Sequence, residues 1–392
     1  MEPLHFLFVT FEGGGNVPPA FSVARRLRER GHRLSFLGQP AQQAAVHALG
    51  ASFRALPAPD WSADAEGEEV QVLFPLLFGS AVADCVFESL ERDAPDVLVI
   101  DCMMMSALSA AERSGLPYVA LVHVLYRAFT EGVIQEGQHT LGELLSLGLN
   151  LLNPTREHLG LPPVTAPAEM LERTDIALVT SSAHLNRVLT NEPANVRYVG
   201  AIRDEPPVKG GPSSWWTHGD ERPRVLIAFS STNQQQQETL CRVRDALSEL
   251  PVQGIVTLGH MMNPNVVTPS ANVAVHRFIA HDQVLPGCDL VMTHGGLGTV
   301  QAALAHGVPL LCMPMGRDQG DTAARVEALG AGLTLNSDAS VGDIRAAVEG
   351  MLRTSTYQDA ARRLALGMVE EDGLQAAVDV LEKLVVLQDS VG

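Results

Sequence analysis

What most constrains this chain is a series of strand-length apolar runs that hardly alternate with polar residues. His5–Phe11, Asp96–Ile100, Tyr118–Val122, Ile176–Thr180, Val225–Phe229, Leu290–Met292 and Pro309–Met313 all have this character. A strand with one wet face alternates; a run without alternation is covered on both faces, as in a parallel sheet layered with helices. Helical stretches lie between the runs. Pro19–Arg30, for example, has helical periodicity and stops at Gly31. Repeated strand–helix units predict an α/β fold.

The pattern also repeats on a larger scale. DVLVIDCMMMSALSAAERSGLPYVAL, from Asp96, and DLVMTHGGLGTVQAALAHGVPLLCM, from Asp289, each run Asp, strand, polar residue, small-residue helix, Gly-x-Pro, strand. One gap aligns them and sets Asp101 opposite His294. Between the copies, DEPPVKGGPSSWWTHGDER (Asp204–Arg222) concentrates Pro, Gly, Ser and charge, as inter-domain linkers do. The expected organisation is an N-terminal domain over 1–205, a linker over 206–222 and a C-terminal domain over 223–392. Two doubly wound halves would then face a cleft. Ligands of open α/β sheets bind outside the carboxyl ends of the strands, where Asp101 and His294 both fall.

Composition removes several functions. Hydrophobic residues make up 46% of the chain and charged residues 18%, which excludes wholesale disorder. A net charge of -18 repels polyanions, so no nucleic-acid partner is expected. No apolar run reaches the roughly 18 residues of a membrane span, so no membrane partner is expected either. The start, MEPLHFLFVTF, lacks a basic n-region and reads as a strand rather than a secretory signal. Five widely spaced cysteines show no zinc or redox pairing, which suits a reducing cytoplasm. A homodimer stays open.

The densest chemistry lies in Thr293-His-Gly-Gly-Leu-Gly-Thr-Val. Gly295, Gly296 and Gly298 let backbone N–H groups approach an anion, and a helix N-terminus adds partial positive charge. Thr299 and His294 can donate further bonds to a diphosphate. The segment is not a Walker loop, because Gly-Lys-Ser/Thr is missing. A tight strand-to-helix turn without a ligand is the alternative. Further on, Asp318 and Gln319 follow another strand; a carboxylate and an amide suit paired sugar hydroxyls, although Asp318 could simply cap the next helix.

The stretch HGGLGTVQAALAHGVPLLCMPMGRDQGDTAARVEALGAG resembles the nucleotide-sugar signature of GT-B glycosyltransferases, in particular the inverting family-1 enzymes that decorate natural products, including macrolide antibiotics. The resemblance covers about 40 contiguous residues, in family order and spacing, and continues more weakly along the chain. It implies two Rossmann-like doubly wound domains facing a central cleft. By resemblance, His294 and Thr299 contact the diphosphate, Asp318 and Gln319 the sugar, and Phe278 and Ile279 the base. Ser230 and Ser231 match the loop that opens the second domain. The segment after Tyr357 could supply the last helix, which in the family crosses back to the first domain.

Two positions depart from that family. Its catalytic histidine in the first loop is replaced by Asn16, and asparagine cannot take a proton near neutral pH. The carboxylate that orients that histidine corresponds to Asp101. The candidates left for the base are Asp101 itself, if burial raises its pKa, His123 at the end of a neighbouring strand, and Glu12 beside the glycine loop. His123 could equally be an ordinary core histidine. The second departure is Ala302, where many members bond the ribose hydroxyls through a glutamate. A missing acceptor matters less for a deoxyribose, which points to a dTDP-sugar ahead of a UDP-sugar. On the acceptor side, Met103, Met104, Met105, Leu73–Phe78, Leu125, Tyr126 and Phe129 could line an apolar pocket or could be core.

The resulting expectation is an enzyme, a glycosyltransferase of hexosyltransferase type. It would make an inverting, metal-independent transfer to a hydrophobic small molecule, with the nucleotide sugar as co-substrate and no cofactor. No Asp-x-Asp motif and no His/carboxylate cluster with metal-ligand spacing stands out in the sequence. Asn16 keeps a second reading open, a nucleotide-sugar-binding auxiliary protein that has lost its base. A sugar-nucleotide epimerase on the same architecture is the third.

Overall fold

The computed structural model describes residues 2–57, 69–129, 140–188, 190–202, 215–217, 219–230, 236–259 and 266–389. Seven strands form the first sheet: β1 (His5–Val9), β2 (Arg33–Gly38), β3 (Ser52–Ala55), β4 (Val97–Asp101), β5 (Tyr118–Val122), β6 (Ile176–Val179) and β7 (Val196–Tyr198). Six form the second: β8 (Arg224–Ala228), β9 (Gln253–Thr257), β10 (Val273–His276), β11 (Leu290–Thr293), β12 (Leu310–Cys312) and β13 (Gly332–Thr334). The orders are β3-β2-β1-β4-β5-β6-β7 and β10-β9-β8-β11-β12-β13, and every pairing is parallel.

The unbroken apolar runs occupy the middle of these sheets because both faces are covered. Along β1, Leu7 and Val9 join one core cluster, and Phe6 and Phe8 join another on the opposite face. Leu226 and Ala228 against Val225 and Ile227 divide in the same way in β8. The repeat has a structural counterpart too. Asp96 accepts the backbone N–H of His5 at 2.7 Å, and Asp289 accepts that of Arg224 at 2.8 Å. Each carboxylate therefore ties the start of β4 or β11 to the neighbouring strand.

The halves touch in several places. The last helix, Gly373–Asp389, packs Leu374, Ala377, Val378 and Leu381 into the N-terminal cluster that holds Phe6 and Leu27. Arg30 bonds Glu382 at 2.6 Å, and His32 Nε2 lies 2.9 Å from the same carboxylate. Trp216, inside the expected linker, is buried in the C-terminal core, and its indole N–H donates to the Val284 carbonyl at 2.9 Å. Sequence composition missed this because two tryptophans were embedded in Pro, Gly and Ser.

Candidate active site

Both sheets reverse strand order at the same place, between β1 and β4 and between β8 and β11. In the first half, register puts Asp101, the last residue of β4, beside Leu121 of β5. His123 lies two residues further on, and the loop after β1 delivers Asn16 to the N-cap of the helix Val17–Glu29. The three side chains meet. Asp101 Oδ2 accepts from Asn16 Nδ2 at 2.7 Å, and Asp101 Oδ1 lies 3.1 Å from His123 Nε2. The Met103 N–H also donates to Oδ1, at 2.9 Å.

Asn16 is fully engaged. Its Nδ2 also donates to the Phe11 carbonyl, and its Oδ1 accepts the Gly13 N–H at 3.1 Å. It thus fixes the first loop and one carboxylate oxygen. Asp101 has three donors and is 3% exposed, so little of it is open to an acceptor hydroxyl. The His123 side chain is 13% exposed and is the part of the group nearest solvent. Burial works against charge on its ring, but Asp101 and Cys102 together outweigh burial and lift the imidazole well above its ordinary value. Glu12 lies on the same loop, largely exposed, and partial desolvation by its neighbours raises its carboxyl.

The second half repeats the plan. Ser230 follows β8, His294 follows β11 and Asp318 follows β12. Gly295 has φ of 91°, and a Cβ there would meet the Gln319 carbonyl at 2.9 Å. A Cβ on Gly296 would meet His294 Nε2 at 2.6 Å. A Cβ on Gly298 would meet nothing within 4 Å. The first two glycines close the loop, whereas the third borders open space. The helix Leu297–Ala305 starts there with no side-chain cap and no acidic residue in its first turn. Its first N–H groups are therefore available to an anion.

His294 is buried, and burial, aided by Arg317, lowers its imidazole to about 4. At neutral pH it is an uncharged hydrogen-bonding group. Asp318 occupies the N-cap position of the helix Gln319–Ala328 but makes no capping bond, so capping does not explain it. Burial raises its carboxyl, while the charge on His123 pulls the other way. The Asp101–His123 pair and Asp318 therefore sense each other across the cleft. Gln319 is buried and accepts the Met315 N–H through Oε1 at 2.8 Å. Ser230 is clipped by Gln236, which accepts its N–H and donates to its carbonyl. Ser231 lies outside the described residues. Phe278 is 57% exposed beside buried Ile279.

A family described as the erythromycin biosynthesis protein CIII-like C-terminal domain matches residues 241–384. The sequence is 29% identical to 4'-demethylrebeccamycin synthase of Lentzea aerocolonigenes, over 97% of this chain and 99% of that protein. It is 24% identical to oleandomycin glycosyltransferase of Streptomyces antibioticus, over 97% and 90%. The crystal structure of glycosyltransferase VinC in complex with dTDP superposes with a TM-score of 0.69, at 18% identity, over 97% of this chain and 99% of that one. The chain is a GT-B glycosyltransferase.

It is similar to enzymes of natural-product pathways along almost its whole length. Within this glycosyltransferase, part of the expected acceptor face needs correction. Met104 and Met105 are buried in the N-terminal core, and Tyr126 is 1% exposed, so none of them offers surface to a ligand. Leu125 packs into the C-terminal core instead. Met103, half-buried beside Asp101, and the half-buried Leu73 and Phe74 are acceptor candidates that burial permits. Their shared apolar character hid this difference from the sequence.

The fold also builds a cluster that the sequence did not show. Asp101, Cys102 and His123 bring potential metal-ligand atoms within 4.8 Å of one another. Burial raises the Cys102 thiol, so it stays protonated, and Asp101 is already committed to three donors. A metal would have to displace that proton and those bonds.

Proposed function

We propose that this glycosyltransferase moves a sugar from a nucleotide sugar to a lipophilic small molecule, with inversion and without a metal. The pairing of His123 with Asp101, opposite Asp318 and the glycine loop, carries this reading. The acceptor O–H approaches His123 from the N-terminal half. Its oxygen forms the bond to the anomeric carbon while the bond to the diphosphate breaks on the C-terminal side. The proton passes to His123, and Asp101 holds the ring and the charge it acquires. Attack from the face opposite the leaving group inverts the centre.

Ala302 offers no acceptor for ribose hydroxyls, which favours a dTDP-sugar; the dTDP bound to VinC is in keeping with that. Because its imidazole is raised, His123 must lose a proton before it can act. Transfer should therefore rise with pH through a limb above 6.5, the ordinary histidine value.

The test is a panel of dTDP-, UDP- and GDP-sugars with lipophilic acceptors, scored by product mass and by the configuration of the new bond. His123→Asn should lower turnover about 10²- to 10⁴-fold and leave donor binding intact. Unchanged turnover would remove His123 as the base. Donor consumption without any glycosylated product would remove the transferase reading of this site.

A further inference from the structure

Apart from His123 on the acceptor side, the site as described lacks a full positive charge. A departing nucleoside diphosphate is a multiply charged anion, and the chain around it carries a net charge of -18. His294 is neutral at working pH, and a helix N-terminus supplies roughly half a unit charge. Three loops converge on the donor side: residues 229–230 after β8, 293–299 after β11 and 313–319 after β12. They contain one arginine and no lysine. That residue is Arg317.

Its backbone is unusual. Among the described residues, Ala94 and Arg317 are the non-glycine positions with positive φ. Ala94 is a left-handed helix C-cap, a common place for that conformation. Arg317, at φ 60°, instead precedes the N-cap of the helix Gln319–Ala328 and follows Gly316, at φ 138°. Left-handed backbone disfavours a side chain with a Cβ, and glycine would occupy it without strain. The loop presses against the glycine turn, where the would-be Cβ of Gly295 meets the Gln319 carbonyl. The guanidinium charge reaches both the His294 ring and the Asp318 carboxyl.

We infer that Arg317 is a donor-binding residue, held in a left-handed turn so that its guanidinium neutralises the diphosphate of the donor and of the leaving group. This rests on the nucleotide-sugar reading above. A guanidinium pairs two phosphate oxygens at once, so the interaction selects diphosphates over nucleosides.

Calorimetric titration of dTDP, UDP and thymidine into wild type and variants tests it, alongside melting curves. Arg317→Gln should weaken the diphosphate that wild type prefers by roughly 10- to 100-fold, leave thymidine binding unchanged, and raise the donor KM. Arg317→Lys should recover part of the loss. Arg317→Gly should melt higher than wild type, because it relaxes the turn, and still lose diphosphate affinity. If wild type binds neither dTDP nor UDP, the donor reading fails with it. If wild type binds one of them and Arg317→Gln binds it equally well, this inference alone falls. It also falls if thymidine and diphosphate affinity drop together, or if Arg317→Gly melts lower, since either result would make the arginine a scaffold for the loop.

Discussion

At the scale of single residues, the proposed mechanism gives a neighbour the role that Asn16 cannot play. The first-loop asparagine still bonds Asp101, as a histidine there would, and His123 takes the other carboxylate oxygen. Asp101 and His123 were legible in the sequence because each ends an apolar strand. Their contact was not, since it depends on the register of β4 against β5. His294 gives a prediction of a different kind. Its folded pKa of about 4 lies below the unfolded value of 6.5, so the unfolded chain takes up the proton first as pH falls. Its neutral burial is therefore fully compatible with the fold above pH 6.5 and costs progressively more stability down to about pH 4. At pH 5 the loss should be about 2 kcal/mol. Denaturant melts at pH 7.5 and pH 5 should show a smaller acid loss in His294→Gln than in wild type. Equal losses would mean that the ring is not held neutral.

At the scale of elements, most central strands were readable, whereas the inner strands β2 and β9 and the edge strands were not. β1, β4, β5, β8, β11 and β12 are covered on both faces and run apolar. β3, β7, β10 and β13 are short strands at the sheet edges, where exposed or half-buried residues interrupt the pattern. The glycine turn was legible as a turn, but not which glycine serves which purpose. Gly296→Ala would drive a methyl group into His294, so it should lower both the melting temperature and nucleotide affinity. Gly298→Ala meets no protein atom, and alanine favours a helix by about 0.5–1 kcal/mol over glycine. That variant should melt at or above wild type yet bind nucleotide more weakly, because its methyl group projects where the diphosphate would approach. Undiminished affinity in Gly298→Ala would mean that the ligand lies elsewhere.

At the scale of the whole molecule, the question is what holds the two halves in catalytic relation. Gln301, on the donor helix, accepts the Ser182 N–H at 3.0 Å and donates to the Thr180 carbonyl. Arg325, on the helix that starts at Gln319, donates to the carbonyls of Leu185 and Asn186 at 2.7 and 3.1 Å. Ser182 bonds Glu371, and Asn186 accepts the Tyr126 N–H, three residues beyond His123. One short segment after β6 thus links the helices that start at Leu297 and Gln319 to the turn that follows His123. Neither contact was visible in the sequence, which shows which residues lie on a helix but not which loop of the other half that helix meets. The linkage separates binding from turnover. The donor loops belong to the C-terminal half, so loosening the segment should spare nucleotide affinity and misplace His123 relative to the sugar. Arg325→Met keeps much of the side chain's apolar stem and removes both bonds. It should leave dTDP or UDP binding within about twofold of wild type while turnover falls at least tenfold, since small misplacements of reacting groups are costly. Measuring nucleotide affinity and single-turnover transfer on one preparation decides the matter: a parallel fall in both would mean that Arg325 supports the donor site directly and that the segment does not couple the halves.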